Sequence, residues 1–359
     1  MIKKITFFIF IFLFLFLFSL NGNPQFGTPI GAEIDIACLK NIEAVCTLIN
    51  LTDYWEKRHT DFPFAAEARD HFLPFKEHEA VKITAALLEK GWWQIYFFNI
   101  AVHITDLPEG DPKSAPEWFR MEPVQKFIPA LRKFYKDSEY EKFWKEKRNF
   151  YKELQTSLAR RYKEQNIDVV EIMEDFYGFG FDAYHIVPAP QLTDMGLHAE
   201  LRMDDQSIAF YFNGPLGKDK SQKYGDYFAP VNALIYTAFH EFGHSFLEPV
   251  LQNNKDLLKK YSYIYKTAER GMEEKGYSSW GRVFAENLIH AAQICLMEKA
   301  WNRQTALKTL NQEYENGFIL IKDMFDILQD YVGSRDKYER IQDFMPVFFE
   351  SLGKRYRSL

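Results

Sequence analysis

The sequence predicts an α+β protein, mostly helical, with one small sheet between a helical N-terminal half and a helical C-terminal half. Three observations carry this. Apolar residues recur at helical spacing over most of the chain, and two short runs rich in β-branched and aromatic residues lie near its middle. His240-Glu241-Phe242-Gly243-His244 then falls within an apolar helical stretch just after them.

The first residues, 1–23, read as a signal peptide. Lys3 and Lys4 form a positive start, Ile5 to Leu20 is apolar except for Ser19, and Asn21-Gly22-Asn23-Pro24 breaks the run. Processing is expected between Ser19 and Gln25, although no A-x-A site is present. The absence of a Cys directly after the run argues against a lipoprotein. The apolar run is at the short edge of what spans a bilayer, so an uncleaved anchor is the alternative.

Residues 24–176 form a helical N-terminal region. Ile36, Leu39, Val45, Leu48 and Leu51 place a helix between Ile34 and Tyr54. Phe64 to Leu73 and His78 to Lys90 continue in that style, separated by Pro74, with Gly91 ending the second. Pro108 to Pro116 is a loop, and Glu122 to Glu174 is largely helical with a kink at Pro129.

Residues 177–359 form a second region, the one that carries the chemistry. Tyr177-Gly178-Phe179-Gly180-Phe181 marks the change of texture. Ala183 to Val187 and Ser207 to Asn213 are bounded by Pro, Gly, Asp and Asn, and both read as strands. Asn213 to Asp226 is a polar loop. Helix returns at about Pro230 and dominates to the C-terminus.

With 359 residues, 47% hydrophobic and 17% aromatic, the chain can build a large core. The 44 Lys and Arg are interspersed with 50 Asp and Glu, for a net charge of −6, which excludes the basic field that nucleic-acid binding needs. The Lys-rich stretch from Phe134 to Lys152 alternates in sign and reads as a solvated helix face. Cys38, Cys46 and Cys295 read as buried thiols. Along a helix the first two would be roughly 12 Å apart, against the ~7 Å limit for a disulfide.

Two histidines four apart lie one turn above each other on the same helix face, so His240 and His244 can reach one ion at about 2.0–2.1 Å. Glu241 projects beside that ion, where it can take a proton from an attacking water and later deliver it to a leaving amine. The expected cofactor is Zn2+. Gly243 between the ligands suits close packing, and Pro249 is expected to end the helix.

A third protein ligand is needed. Glu248 lies one further turn along the same helix, and three ligands spread in line over about 12 Å cannot converge on one ion; it reads as a surface or cap residue. Glu286 interrupts a second apolar helix, Trp280 to Ala292, where a carboxylate is costly unless paired or metal-bound. Glu286 is therefore expected within about 4–5 Å of the His240 and His244 ring nitrogens. Glu269, Glu273 and Glu274 compete, but they cluster with charges and Gly in an apparent solvated loop. His290, one turn after Glu286, could orient a ligand or bind substrate. Core or surface roles are expected for His59, His71, His78, His103, His185 and His198. Tyr277, His290, Tyr331 and Arg335 are all open as transition-state stabilisers.

Two histidines and a Glu on a downstream helix resemble the gluzincins, the thermolysin-like zinc peptidases. Those carry an Asp four residues after the Glu, where this chain has His290. A closer resemblance is to the secreted bacterial domain-of-unknown-function 4932 family, through HEFGHSFLEP at 240–249, ENLIHA at 286–291, HFLPFKEHEAVKITAALLEK at 71–90 and the surroundings of Tyr184 to Leu192. The resemblance to zinc peptidases implies a zincin-like catalytic core and metal-assisted hydrolysis of a peptide or protein substrate. By analogy with zincins, Ser207 to Asn213 is a candidate for pairing with extended substrate. The localisation expected is periplasmic, cell-surface or secreted. Two alternatives stay open: a non-catalytic exported binding protein that retains a zinc site, and a metallohydrolase of a non-peptide bond.

Overall fold

The structure is a computed structural model describing residues 33–357 apart from 105–106, 111–114, 204–205, 217–227, 229–230 and 274. Residues 1–23, read from the sequence as a signal peptide, and most of the 213–226 loop lie outside the described residues.

Helices dominate, and a four-stranded mixed sheet is their only extended partner among the described residues. Its strands are β1 (Ile34–Ile36), β2 (Ala183–Pro188), β3 (Gly196–Met203) and β4 (Gln206–Asn213), in the order β1-β2-β4-β3. β1, β2 and β4 run parallel; β3 is antiparallel to β4 and forms an edge. The α+β class stands.

Three details of the sequence expectation change. Ile34–Ile36 is a strand rather than the start of a helix, because its backbone pairs with Tyr184–Ile186; the helix begins at Lys40. Three residues are too few for a helical period to mean anything against a waiting sheet edge. β3 goes unread in the sequence, yet its pattern has a strict period of two, with Leu197, Ala199 and Leu201 on one face and His198, Glu200 and Arg202 on the other. Finally, Pro249 does not end its helix, which runs from Val231 to Asn253 with the proline inside it. Val250 is fully buried and Leu251 nearly so, and their burial favours continuing the helix past the break.

The sheet is covered on both faces. On one, Phe242 of the Val231–Asn253 helix packs edge-on to Tyr184 of β2 and Tyr211 of β4, with ring centroids 5.4 and 6.2 Å away. On the other, Phe98 of the Gln94–His103 helix packs edge-on to Phe212 at 4.9 Å. Phe239, Phe242 and Phe246 are fully buried, each contributing about 1.5–3 kcal/mol. The Trp280–Ala300 helix crosses close to this one: a Cβ on Gly243 would lie 3.3 Å from both Ile289 Cγ2 and the Tyr177 hydroxyl. All three cysteines are buried free thiols. No described helix is long and apolar enough to cross a membrane.

Candidate metal centre

Two helices and one strand build the centre. The Val231–Asn253 helix presents His240 and His244 one turn apart, and the Trp280–Ala300 helix brings Glu286 against them. His240 Nε2 and His244 Nε2 are 3.3 Å apart. Glu286 Oε2 lies 3.7 Å from His240 Nε2, and Oε1 lies 3.9 Å from His244 Nε2. Ligand atoms about 2.0–2.1 Å from one tetrahedral ion are about 3.3–3.5 Å from each other, so this trio is close to a coordination face. Glu286 Oε2 is buried with no hydrogen-bond partner, an arrangement that costs free energy unless a cation takes its lone pairs. The three side chains are 9–16% exposed. The donor set therefore fits a divalent metal ion, with one imidazole pair and one carboxylate.

The electrostatics agree. Burial, with His290 alongside, pushes His240 well below its ordinary value and keeps it a neutral ligand. Burial raises Glu286, with Glu241 and Glu248 adding to the effect and His244 opposing it.

Glu241 sits beside the cage. Burial alone would raise its carboxyl, but His198, His240 and His244 together hold it below its usual range. Its Oε2 is 3.7 Å from His198 Nδ1. On the other side it is pressed against β3, where a Cβ on Gly196 would come within 2.4 Å of Oε1.

Glu248 keeps 38% of its side chain exposed, as a surface residue would, but it does not cap a helix end and it touches the site. Its Oε1 lies 3.0 Å from His244 Nδ1 and 3.6 Å from His198 Nε2. His198, also outside the sequence-derived site, is pulled in by these two carboxylates. Burial would lower the imidazole, but Glu248 and Glu241 outweigh it and push its pKa up to about 10. His198, His244 and Glu248 also form a ligand-like group. As arranged they cannot share an ion well, because the two rings stack 4.2 Å apart at 5°. An imidazole lone pair lies in its ring plane, and no point lies in both of two parallel stacked planes. Glu248 and His198 therefore act as supports of the first cage rather than as a second one. Glu248 was findable in the sequence, because it is four residues after His244; His198 was not, because only the fold shows what β3 faces.

His290 lies behind His240, ring centroids 4.5 Å apart, and against Phe318 at 4.1 Å. Burial lowers its pKa to about 3, and His244 adds to this. It packs on a cage residue as a neutral ring. Of the other open stabilisers, Tyr331 and Arg335 both donate to the Phe176 carbonyl, at 2.9 and 3.1 Å. That leaves Tyr277, which burial and the nearby charges of Glu286 and Glu241 push above the usual phenol range. Gly276, at φ +88°, makes the left-handed turn just before it. Glu269 and Glu273 lie on a helix, Tyr265–Glu273, rather than in a loop, and Glu274 is outside the described residues.

The remaining histidines have local structural work. His78 caps a helix through Ala80 N–H at 3.1 Å, His103 contacts the Asn99 carbonyl at 2.8 Å, and His185 pairs with Asp35 at 3.1 Å. β4 has both edges occupied, by β2 and β3, so it cannot pair with an extended substrate. The outer edge of β3 replaces it in that comparison.

Residues 117–350 match the family model described as a domain of unknown function (DUF4932). No curated protein and no solved structure matches the chain.

Proposed function

We propose that this chain, which belongs to the DUF4932 family, is an exported zinc metallopeptidase of gluzincin type. The observation that carries the reading is the cage of His240, His244 and Glu286 with Glu241 beside it but outside the ligand set. Zinc held there would supply Lewis-acid polarisation of the scissile carbonyl and a lower pKa for the attacking water. Three protein ligands leave a position for chemistry, whereas a purely structural site closes all four. Glu241, kept ionised by its histidine neighbours, accepts the proton of the attacking water and passes it to the leaving amine. The Tyr277 phenol, close enough to feel the charges of Glu286 and Glu241, would donate to the developing oxyanion. The outer edge of β3 would align an extended peptide alongside Glu241. Export rests on the Lys3–Lys4 and Ile5 to Leu20 layout.

The test is metal content together with hydrolysis. The purified chain is expected to hold one zinc, to cleave a mixture of quenched fluorogenic peptides, and to lose that activity to a chelator and regain it with zinc. Stoichiometric zinc with no cleavage of peptides or of ester analogues would favour the non-catalytic binding protein. Cleavage of the esters alone would favour a non-peptide hydrolase.

A further inference from the structure

We propose that His198 is the positioning residue for Glu241, and that β3 fixes this base by gripping both of its carboxylate oxygens. The proposal rests on the reading of Glu241 as general base. On the Oε1 side the grip is steric. A Cβ on Gly196 would meet Oε1 at 2.4 Å, Glu241 Cδ at 2.9 Å and Thr237 Cγ2 at 2.8 Å. Gly196 does not have a left-handed backbone, so its glycine is required by space and not by conformation. A glycine opening a strand weakens it unless something must approach closely, and what approaches here is the carboxylate.

On the Oε2 side the grip is polar. His198 is two residues on, hence on the same face of β3, and its Nδ1 is 3.7 Å from Oε2. The ring has little freedom. Its Nε2 faces Glu248 Oε1 at 3.6 Å, its plane stacks on His244 at 4.2 Å, and its backbone is paired in register with Tyr211 of β4.

The arrangement has a second consequence. Glu248 Oε1 is shared, 3.0 Å from His244 Nδ1 and 3.6 Å from His198 Nε2. One carboxylate thus steadies a metal ligand with one contact and the clamp on the base with the other, so changes at His198 and Glu248 are expected to be non-additive in kcat.

The experiment uses the full zinc-loaded chain and the fluorogenic peptides that the parent cleaves. His198→Leu is expected to keep one zinc and a KM within twofold, while kcat falls about 10–100-fold, the usual cost of losing an outer partner. His198→Gln, which restores a donor, should recover most of that loss. Gly196→Ala should lower kcat comparably with zinc retained, and a crystal structure should show the Glu241 carboxylate turned off β3. His198→Leu with kcat within twofold of the parent overturns the proposal, as does a loss of activity that follows loss of zinc and is not recovered by His198→Gln. A Glu241→Gln variant separates the two levels. If it is inactive while His198→Leu is unaffected, only the positioning role fails. If it is as active as the parent, the assignment of the base fails and takes this proposal with it.

Discussion

Glu248 Oε1 lies 3.0 Å from His244 Nδ1, one helical turn away, and this contact turns the opposite nitrogen of His244 toward His240 and Glu286. A carboxylate there fixes the proton on Nδ1 and leaves the Nε2 lone pair for an ion. Three residues in line on one helix cannot share a metal ion, but the third can still serve the second from behind.

Glu248→Ala should therefore lower zinc affinity about 10–100-fold while leaving one zinc per chain at saturation. Glu286→Ala should abolish stoichiometric binding, and Glu273→Ala, on the exposed side of its helix, should change neither. Competition against a chromophoric chelator reads all three. Equal zinc affinity for Glu286→Ala and the parent would remove Glu286 from the ligand set.

Glu241→Gln should keep zinc and lose hydrolysis by about 10²–10⁴-fold, the usual worth of a general base. The amide can occupy the same space between Gly196 and His198 but cannot accept the proton. Undiminished turnover of any cleaved peptide would exclude Glu241 from the reaction.

How much of this was legible in the sequence depended on range. His240 and His244 are four residues apart on one helix, so local geometry sufficed. Glu286 was reachable because a carboxylate in an apolar helix demands a partner. His198 was not, since its role depends on β3 folding back beside β4 and under the Val231–Asn253 helix. A histidine in a half-polar strand carries no mark of what it will face. Ile34–Ile36 failed for the same reason: its strand character comes from pairing with β2, about 150 residues later, and not from its own residues.

Tyr277→Phe is expected to lower kcat about 10²–10³-fold with little change in KM, because removing one donor to a developing oxyanion costs about that much. The motivation is that Tyr331 and Arg335 are engaged with the Phe176 carbonyl and His290 packs as a neutral ring, whereas Tyr277 feels the charges of both Glu286 and Glu241. Zinc content should be unchanged, since the phenol is not in the ligand set. A KM rise with constant kcat would instead make it a ground-state binding residue.

Glu43, outside the cage of His240, His244 and Glu286, should make stability depend on pH. This fully buried side chain accepts hydrogen bonds to Oε2 from Tyr151 at 3.2 Å and Gln191 at 3.0 Å, while Oε1 has no partner. Burial raises its pKa to about 8, and the Gln191 and Tyr151 bonds only partly offset that. The folded chain thus keeps a proton that the unfolded chain releases at about 4.5. The stabilisation is complete below the unfolded pKa and is lost as pH rises from there through about 8, by up to about 1.4 kcal/mol per pH unit. Glu43→Gln keeps a carbonyl for Tyr151 and Gln191 and removes the ionisation. Its Tm should therefore fall less than the parent's between pH 5 and pH 8, by several degrees at about 2–4 °C per kcal/mol. Because both proteins carry the same metal site, the difference between the two curves isolates Glu43. Parallel curves over that window would mean that the carboxyl ionises inside the fold as readily as in water, and that a compensating group reaches Oε1.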